Sequence, residues 1–174
     1  MQVAVLTVSD SKARAGGTGD TSGEALQQFV EARGGTVVWR GVVPDEPSEV
    51  SERLRWLADV AGVPLILTTG GTGLTPRDRT PEATRAVLDR EAPGLSEAMR
   101  VRNLERSPAS MLSRGVCGVR GRSLILNLPG SPRGAVESLD VVWPQLGHAV
   151  GLVRETREGL HGDAGSEVRG GAKA

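Results

Sequence analysis

The chain has 174 residues, with 21 basic and 21 acidic side chains and a formal net charge of zero. That length fits one domain with a sizeable core, and the charge balance argues against the broad basic footprint of a nucleic-acid or anionic-membrane binder. One phenylalanine, no tyrosine and a lone Cys117 leave little for a base-stacking platform and nothing for an internal disulfide or cysteine metal site, and without a leader or membrane-spanning run the cytoplasm is the expected compartment.

Val3 to Val8 is a continuous aliphatic run, the pattern of a strand buried on both faces, and it ends in Ser9, Asp10 and Ser11. Lys12 to Thr21 is glycine-rich, polar and longer than a usual connection, so it reads as either a mobile loop or a functional one. Thr21 or Ser22 is expected to cap a helix carrying Ala25, Leu26, Phe29 and Val30 at helical spacing, and Gly34 and Gly35 to end it. Thr36 to Val43 is the second expected strand. Pro44-Asp45-Glu46-Pro47 breaks it, and Val50, Leu54, Leu57 and Ala61 mark the buried stripe of the next helix.

Leu65 to Leu67 is a third short apolar run, followed by Thr68, Thr69, Gly70, Gly71, Thr72 and Gly73. Glycines there take positive φ and let a ligand approach bare backbone N–H groups, as an anion cradle requires. Arg77, Asp78 and Arg79 come next. Thr80 as cap, Pro81 at the first helical position and Glu82 in the first turn then announce a helix reaching about Glu91. The string GGTG also occurs at Gly16 to Gly19, so the strand before and the helix after make the second copy informative. There is no GxxxxGK[ST], and Pro76 stands where a dinucleotide fingerprint needs its third glycine. A tight structural turn is the other reading of this loop.

A helix from Leu95 to about Arg106 is followed by a turn at Ser107-Pro108, near which lie Ser110 and Ser113. Val116 to Val119 and Ser123 to Leu128, separated by Arg120-Gly121-Arg122, read as a β-hairpin, making the sheet mixed. Leu128-Pro129-Gly130-Ser131-Pro132-Arg133 repeats the earlier order of strand end, glycine, cap and proline, a second candidate anion site. The last helices use Ala135, Leu139, Val142, Leu146 and Val150, with a break expected at Pro144 and His148 on the apolar side. Residues 1–158 form the expected domain and 159–174, lacking apolar periodicity, a flexible tail.

The expected fold is α/β: a mostly parallel sheet covered on both faces, with an antiparallel hairpin. Right-handed crossovers then bring the loops after the first three strands to one sheet edge, which gathers Ser9, Asp10, Asp45, Asp78 and the loop amides. Two carboxylates beside a phosphate-sized nest suit a magnesium ion shared with phosphate oxygens. The residues alone leave the plainer roles open, with Asp45 as a helix cap and Asp78 as a solvated turn residue.

TVSDS at Thr7 to Ser11, VVPDE at Val42 to Glu46, LTTGGTGLTPRDRTPEAT at Leu67 to Thr84, MLSRGVCG at Met111 to Gly118 and LILNLPGSP at Leu124 to Pro132 resemble the MogA/MoaB family of molybdenum cofactor biosynthesis proteins. The resemblance runs from about Val3 to about Arg154. It implies a three-layer α/β/α sandwich that assembles as a trimer, binds molybdopterin and, in catalytic members, transfers AMP from Mg-ATP to the molybdopterin phosphate with release of pyrophosphate. It places the family's two important aspartates on Asp45 and Asp78, as catalytic and magnesium-holding residues. Ser9, Asp10, Thr69, Gly70, Gly71, Thr72, Gly73, Ser110, Ser113, Ser131 and Arg133 are the expected contacts to nucleotide or pterin. Hand-over to the molybdenum-inserting protein of the same pathway is the implied partnership, with no nucleic acid or membrane involved. A MoaB-type trimer that binds molybdopterin without turnover is the alternative.

Overall fold

Alternate residues of β1 (Gln2–Val8) point to opposite faces, Val3 and Val5 one way and Ala4, Leu6 and Val8 the other, and both sets are buried. A strand so placed needs cover on both sides. The computed structural model, which describes residues 1–155, supplies it: β1 lies inside a six-stranded sheet of order β2-β1-β3-β6-β5-β4, with β2 at Thr36–Val43, β3 at Leu65–Thr69, β4 at Arg90–Glu91, β5 at Cys117–Arg120 and β6 at Ser123–Leu128. The first four strands in that order run parallel, and β5 and β4 continue the sheet through antiparallel pairings.

A short helix, α1 (Asp10–Arg14), follows β1. Helices α2 (Thr21–Ala32), α5 (Pro93–Asn103) and α6 (Pro132–Arg154) cover one face through Leu26, Phe29, Met99, Leu139, Val142 and Leu146. The other face is covered by α3 (Pro47–Arg55), the π-helical turn Trp56–Val60 and α4 (Thr80–Arg85), with Val50, Leu54, Leu57 and Ala83. The expected three layers and the hairpin are therefore present. Gly121, at φ +54°, turns that hairpin. No described helix is long and apolar enough to cross a membrane.

Several local expectations are overturned. The helix expected from Pro81 to Glu91 ends at Arg85, because Asp89 N–H bonds Val119 O and Arg90–Glu91 pair with β5, whose open edge outcompetes helix propensity. Arg79, and not Thr80, stands at its cap position. Asp20 caps α2 in place of Thr21 or Ser22, its buried carboxylate accepting from Gly23 N–H and from the Thr7 hydroxyl. The π-helical turn brings Ala58 into the stripe after Leu57 and leaves Ala61 exposed. Pro144 does not break α6: it and Asp140, whose carbonyl it cannot bond, lie on the exposed face, where that carbonyl is open to solvent. His148 is exposed rather than apolar-facing. The tail at 159–174, together with the 158 boundary, lies outside the described residues.

Candidate active site

The registers Val8↔Val43, Thr7↔Thr69 and Thr69↔Leu128 bring the carboxyl ends of β2, β1, β3 and β6 level. The segments that leave those strands, Ser9-Asp10, Pro44-Asp45, Gly70 to Gly73 and Pro129 to Ser131, therefore share one edge. Close approach explains the glycines. A Cβ on Gly70 (φ +104°) would sit 2.3 Å from the Val8 carbonyl oxygen, so no larger residue fits between the two strand ends. Gly130 lies against Gly70 in turn, its ideal Cβ 3.2 Å from the Gly70 Cα.

Beyond Gly70 the loop is tied back through its carbonyls. Thr80 N–H bonds Gly71 O at 3.1 Å and Arg114 N–H bonds Thr72 O at 2.9 Å. The Arg114 guanidinium donates to Gly73 O at 2.7 Å and also reaches Asp78 O and the Glu82 carboxylate. With its carbonyls held this way the loop can offer amides to an anion. Arg114 was missed as a site residue from sequence, although it lies inside the MLSRGVCG segment; a lone arginine before a glycine gave no sign that it would clasp a loop 41 residues earlier.

Asp10 and Asp45 face each other across the same edge. Asp10 N–H donates to Asp45 Oδ2 at 2.8 Å, and Asp45 N–H donates to Asp10 Oδ1 at 3.0 Å. Arg77 bonds both Asp10 oxygens, at 3.1 and 2.9 Å, and Glu46 at 2.8 Å, which fastens the loop after β3 to the ends of β1 and β2. The Asp45 backbone N–H, helped by Arg77, holds the Asp10 carboxyl below its ordinary range. Asp45 behaves oppositely: burial pushes its carboxyl up, and the charges of Asp10 and Asp78 add to that. Its Oδ1 lies 3.2 Å from where a Cβ on Gly71 would be, so carboxylate and loop are in contact range.

A cavity of about 340 Å³ lies against the same loop, bounded by Gly71 to Gly73, Asp78, Ser110, Ser113 and Ser131, with Asn103 and Ser138 from α5 and α6. The expected residues thus fall into two groups. Asp78, Gly71, Thr72, Gly73, Ser110, Ser113 and Ser131 line the cavity, whereas Ser9, Asp10 and Asp45 do not. Ser9 caps α1. Thr69 and Gly70 are buried and off the cavity lining, with the Thr69 hydroxyl donating to Pro129 O at 2.6 Å. Arg133 is 81% exposed and paired with Glu137, off the lining. Ser131 caps α6 by accepting from Gly134 N–H at 3.2 Å, as expected. Asp78 anchors its turn through Thr75 N–H at 2.8 Å.

Among the described residues no three His, Cys, Asp or Glu side chains come together to hold a metal by themselves. Asp45 nevertheless fits magnesium chemistry: it is an oxygen donor raised by burial and by two neighbouring carboxylates, a charge excess that a hard cation completed by phosphate oxygens and water would relieve.

Residues 4–148 match the family described as "Probable molybdopterin binding domain". The chain is similar to the molybdenum cofactor synthesis protein cinnamon of Drosophila melanogaster, 41% identical over 92% of this chain but only 28% of that protein, so it spans little more than a quarter of that relative. It is 37% identical to the molybdopterin adenylyltransferase of Helicobacter pylori over 88% of each chain. The solved structure of the molybdopterin biosynthesis enzyme MoaB from Thermus thermophilus is 55% identical and superimposes with a TM-score of 0.82, covering 87% of this chain and 95% of that one.

Proposed function

The chain belongs to the molybdopterin-binding family of molybdenum cofactor biosynthesis proteins, and from that membership and the loop geometry we propose that it transfers AMP from Mg-ATP to the phosphate of molybdopterin. A molybdopterin phosphate oxygen bonds to the α-phosphorus of ATP, the bond from that phosphorus to the bridging oxygen breaks, and pyrophosphate leaves with the electron pair. The observation that carries this reading is the Gly71–Gly73 loop, tied back by Arg114 and bordering the cavity, with Asp45 beside Gly71 and Asp78 beside Gly73.

The attacking phosphate is already ionised near neutral pH, so no histidine is needed as a base, and alignment and charge neutralisation are what remains for the protein to supply. The loop amides are assigned to the nucleotide phosphates, and Ser110, Ser113 and Ser131 to the pterin side. Magnesium, held by Asp45 and Asp78, would offset the charge that grows on the leaving pyrophosphate. Arg77 and Arg114 position these carboxylates through Asp10 and the loop.

The resemblance to MoaB supports a second reading, a pterin-binding trimer without turnover. Magnesium-dependent release of pyrophosphate from ATP, measured with and without molybdopterin, separates them: release that needs the pterin supports transfer, and pterin binding without release supports the second reading. Assembly as a homotrimer in the cytoplasm, with hand-over to a molybdenum-inserting protein, is part of the proposal. Val101, Met111 and Leu112, 63%, 62% and 51% exposed on α5 and the turn after it, are apolar surface that assembly would cover. Sedimentation giving a monomer at micromolar concentration would remove the trimer.

A further inference from the structure

We infer that Arg100 of α5 is a positioning residue for the proposed transfer, acting through the segment Ser110–Gly115, which carries two cavity serines and the loop clasp Arg114. The inference rests on the reading that a nucleotide binds at the Gly71–Gly73 loop. It starts from a carbonyl that the helix gives up. Leu104 N–H bonds Val101 O at 3.3 Å, three residues back, and not Arg100 O four back, so the last turn of α5 tightens and leaves the Arg100 carbonyl over. The Ser110 hydroxyl takes it, donating at 3.1 Å. At the far end of the segment the Arg100 side chain donates from Nη1 to Gly115 O at 3.0 Å. One residue thus holds both ends.

The chain between those two ties has no regular structure to fix it after Leu112, since β5 starts only at Cys117. Its placement depends on such bonds, and a guanidinium on a carbonyl is a charge-assisted one, stronger than a neutral pair. What it places is the site. Ser110 and Ser113 line the cavity, and Arg100 and Gly115 border a narrow gap that shares those two serines with it. Arg114, the next residue, bonds Thr72 O through its N–H and Gly73 O, Asp78 O and Glu82 through its guanidinium. Arg100 therefore reaches the anion loop through Arg114 without touching a ligand. The competing role is a plain tie between α5 and the start of β5, which would move stability alone.

The test is calorimetric titration of the full chain with ATP in the presence of magnesium, at a temperature where every variant is folded. Arg100→Met, which keeps the stem and loses the donor, should weaken ATP binding about tenfold. In the Arg114→Lys background, where the clasp is already broken, the same substitution should weaken it further by no more than about threefold, because residues that act through one another are not additive. Ser110→Ala frees the other end of the segment and should weaken ATP binding about threefold or more; it decides the matter should Arg100→Met fail to fold. Unchanged ATP affinity in Arg100→Met or, failing that, in Ser110→Ala overturns the inference, even with a lowered melting temperature. Losses that multiply in full in the double variant overturn it as well. If wild type binds no ATP, the adenylyl-transfer reading falls and this inference with it.

Discussion

Asp10 and Asp45 hold each other's backbone: each carboxylate accepts the other's N–H, at 2.8 and 3.0 Å. The exchange ties the end of β1 to the end of β2 and sets two negative charges close together at the sheet edge. They share the load unequally. The Asp45 N–H and Arg77 keep Asp10 acidic, while Asp45 bears burial and the repulsion of its neighbours. The geometry therefore works against folded-state stability at Asp45, as expected where a carboxylate is kept for ligand chemistry.

Asp45→Asn should accordingly raise thermal stability in chelator-treated protein while abolishing turnover. The asparagine oxygen still accepts from Asp10 N–H, and the charge is gone. Because the folded Asp45 carboxyl lies above its ordinary value of 3.8, wild type loses stability as pH climbs from that value through the raised one, and the variant does not. The gap in melting temperature should be smallest in acid, open above pH 3.8 and become constant by neutral pH. Melting curves across that range check it; a variant less stable than wild type at every pH would show that the carboxylate is needed as a structural cap.

The loop glycines should separate by what each added Cβ meets. Gly70→Ala drives a methyl to 2.3 Å from a backbone oxygen at φ +104° and should cost about 3 kcal/mol or more. Gly71→Ala, at φ +62°, meets the Thr80 hydroxyl at 2.3 Å and Asp45 Oδ1 at 3.2 Å. Both are side-chain atoms that can shift, so stability should fall less than for Gly70→Ala, and activity should be lost. Gly73→Ala meets only Asp78, at 3.0 Å, with no positive φ; it should fold within about 1 kcal/mol of wild type and lose turnover through the displaced carboxylate. Urea melts beside pyrophosphate assays read both columns of this series.

Much of this edge was legible in the sequence, because strand ends followed by glycine, a short polar residue and proline report backbone requirements that are local. Gly70, Gly71, Asp45 and Ser131 came from such signals, as did the fold, since runs such as Leu65–Leu67 could only be strands covered on both faces. What stayed hidden depends on distant partners. The clasp by Arg114, the Asn103–Ser138 pair and the pairing of Arg90–Glu91 with β5 join segments far apart in the chain, and no local pattern records them. The absence of Asp10 and Asp45 from the lining of the serine-lined cavity was equally invisible, since meeting at one edge does not say which residues border a given cavity.

Arg114→Lys tests whether the loop needs the clasp or only a positive charge. An ammonium cannot reach Gly73 O, Asp78 O and Glu82 together as the guanidinium does. Stability should drop by about 1–2 kcal/mol and nucleotide affinity by about tenfold or more. Arg114→Ala should add a pH signature. Burial pushes the Glu82 carboxyl up, but its own backbone N–H and Arg114 outweigh that and hold it below its ordinary 4.5. That stabilisation is present above pH 4.5 and is lost as pH falls through the lowered value. The difference in melting temperature between wild type and Arg114→Ala should therefore be widest near neutral pH and narrow in acid, and a gap independent of pH would assign the loss to packing alone.

Asp78→Asn should abolish adenylyl transfer and leave the fold and most pterin affinity in place. Asp78 lines the cavity, and its Oδ2 accepts from Thr75 N–H at 2.8 Å; the asparagine oxygen keeps that bond, so the turn survives. What disappears is a negative charge beside the loop, one of the two that act on Asp45. If both carboxylates serve one magnesium ion, removing either leaves the ion unheld, and the Asp45→Asn, Asp78→Asn double variant should lose little beyond either single one, because residues acting as a unit are not additive. If Asp78 is only a turn residue, Asp78→Asn should turn over nearly as fast as wild type, and losses in the double variant should sum. Pyrophosphate release against magnesium concentration for the two single variants and the double variant, with pterin titrations as the binding control, distinguishes a shared ion from two independent loop residues.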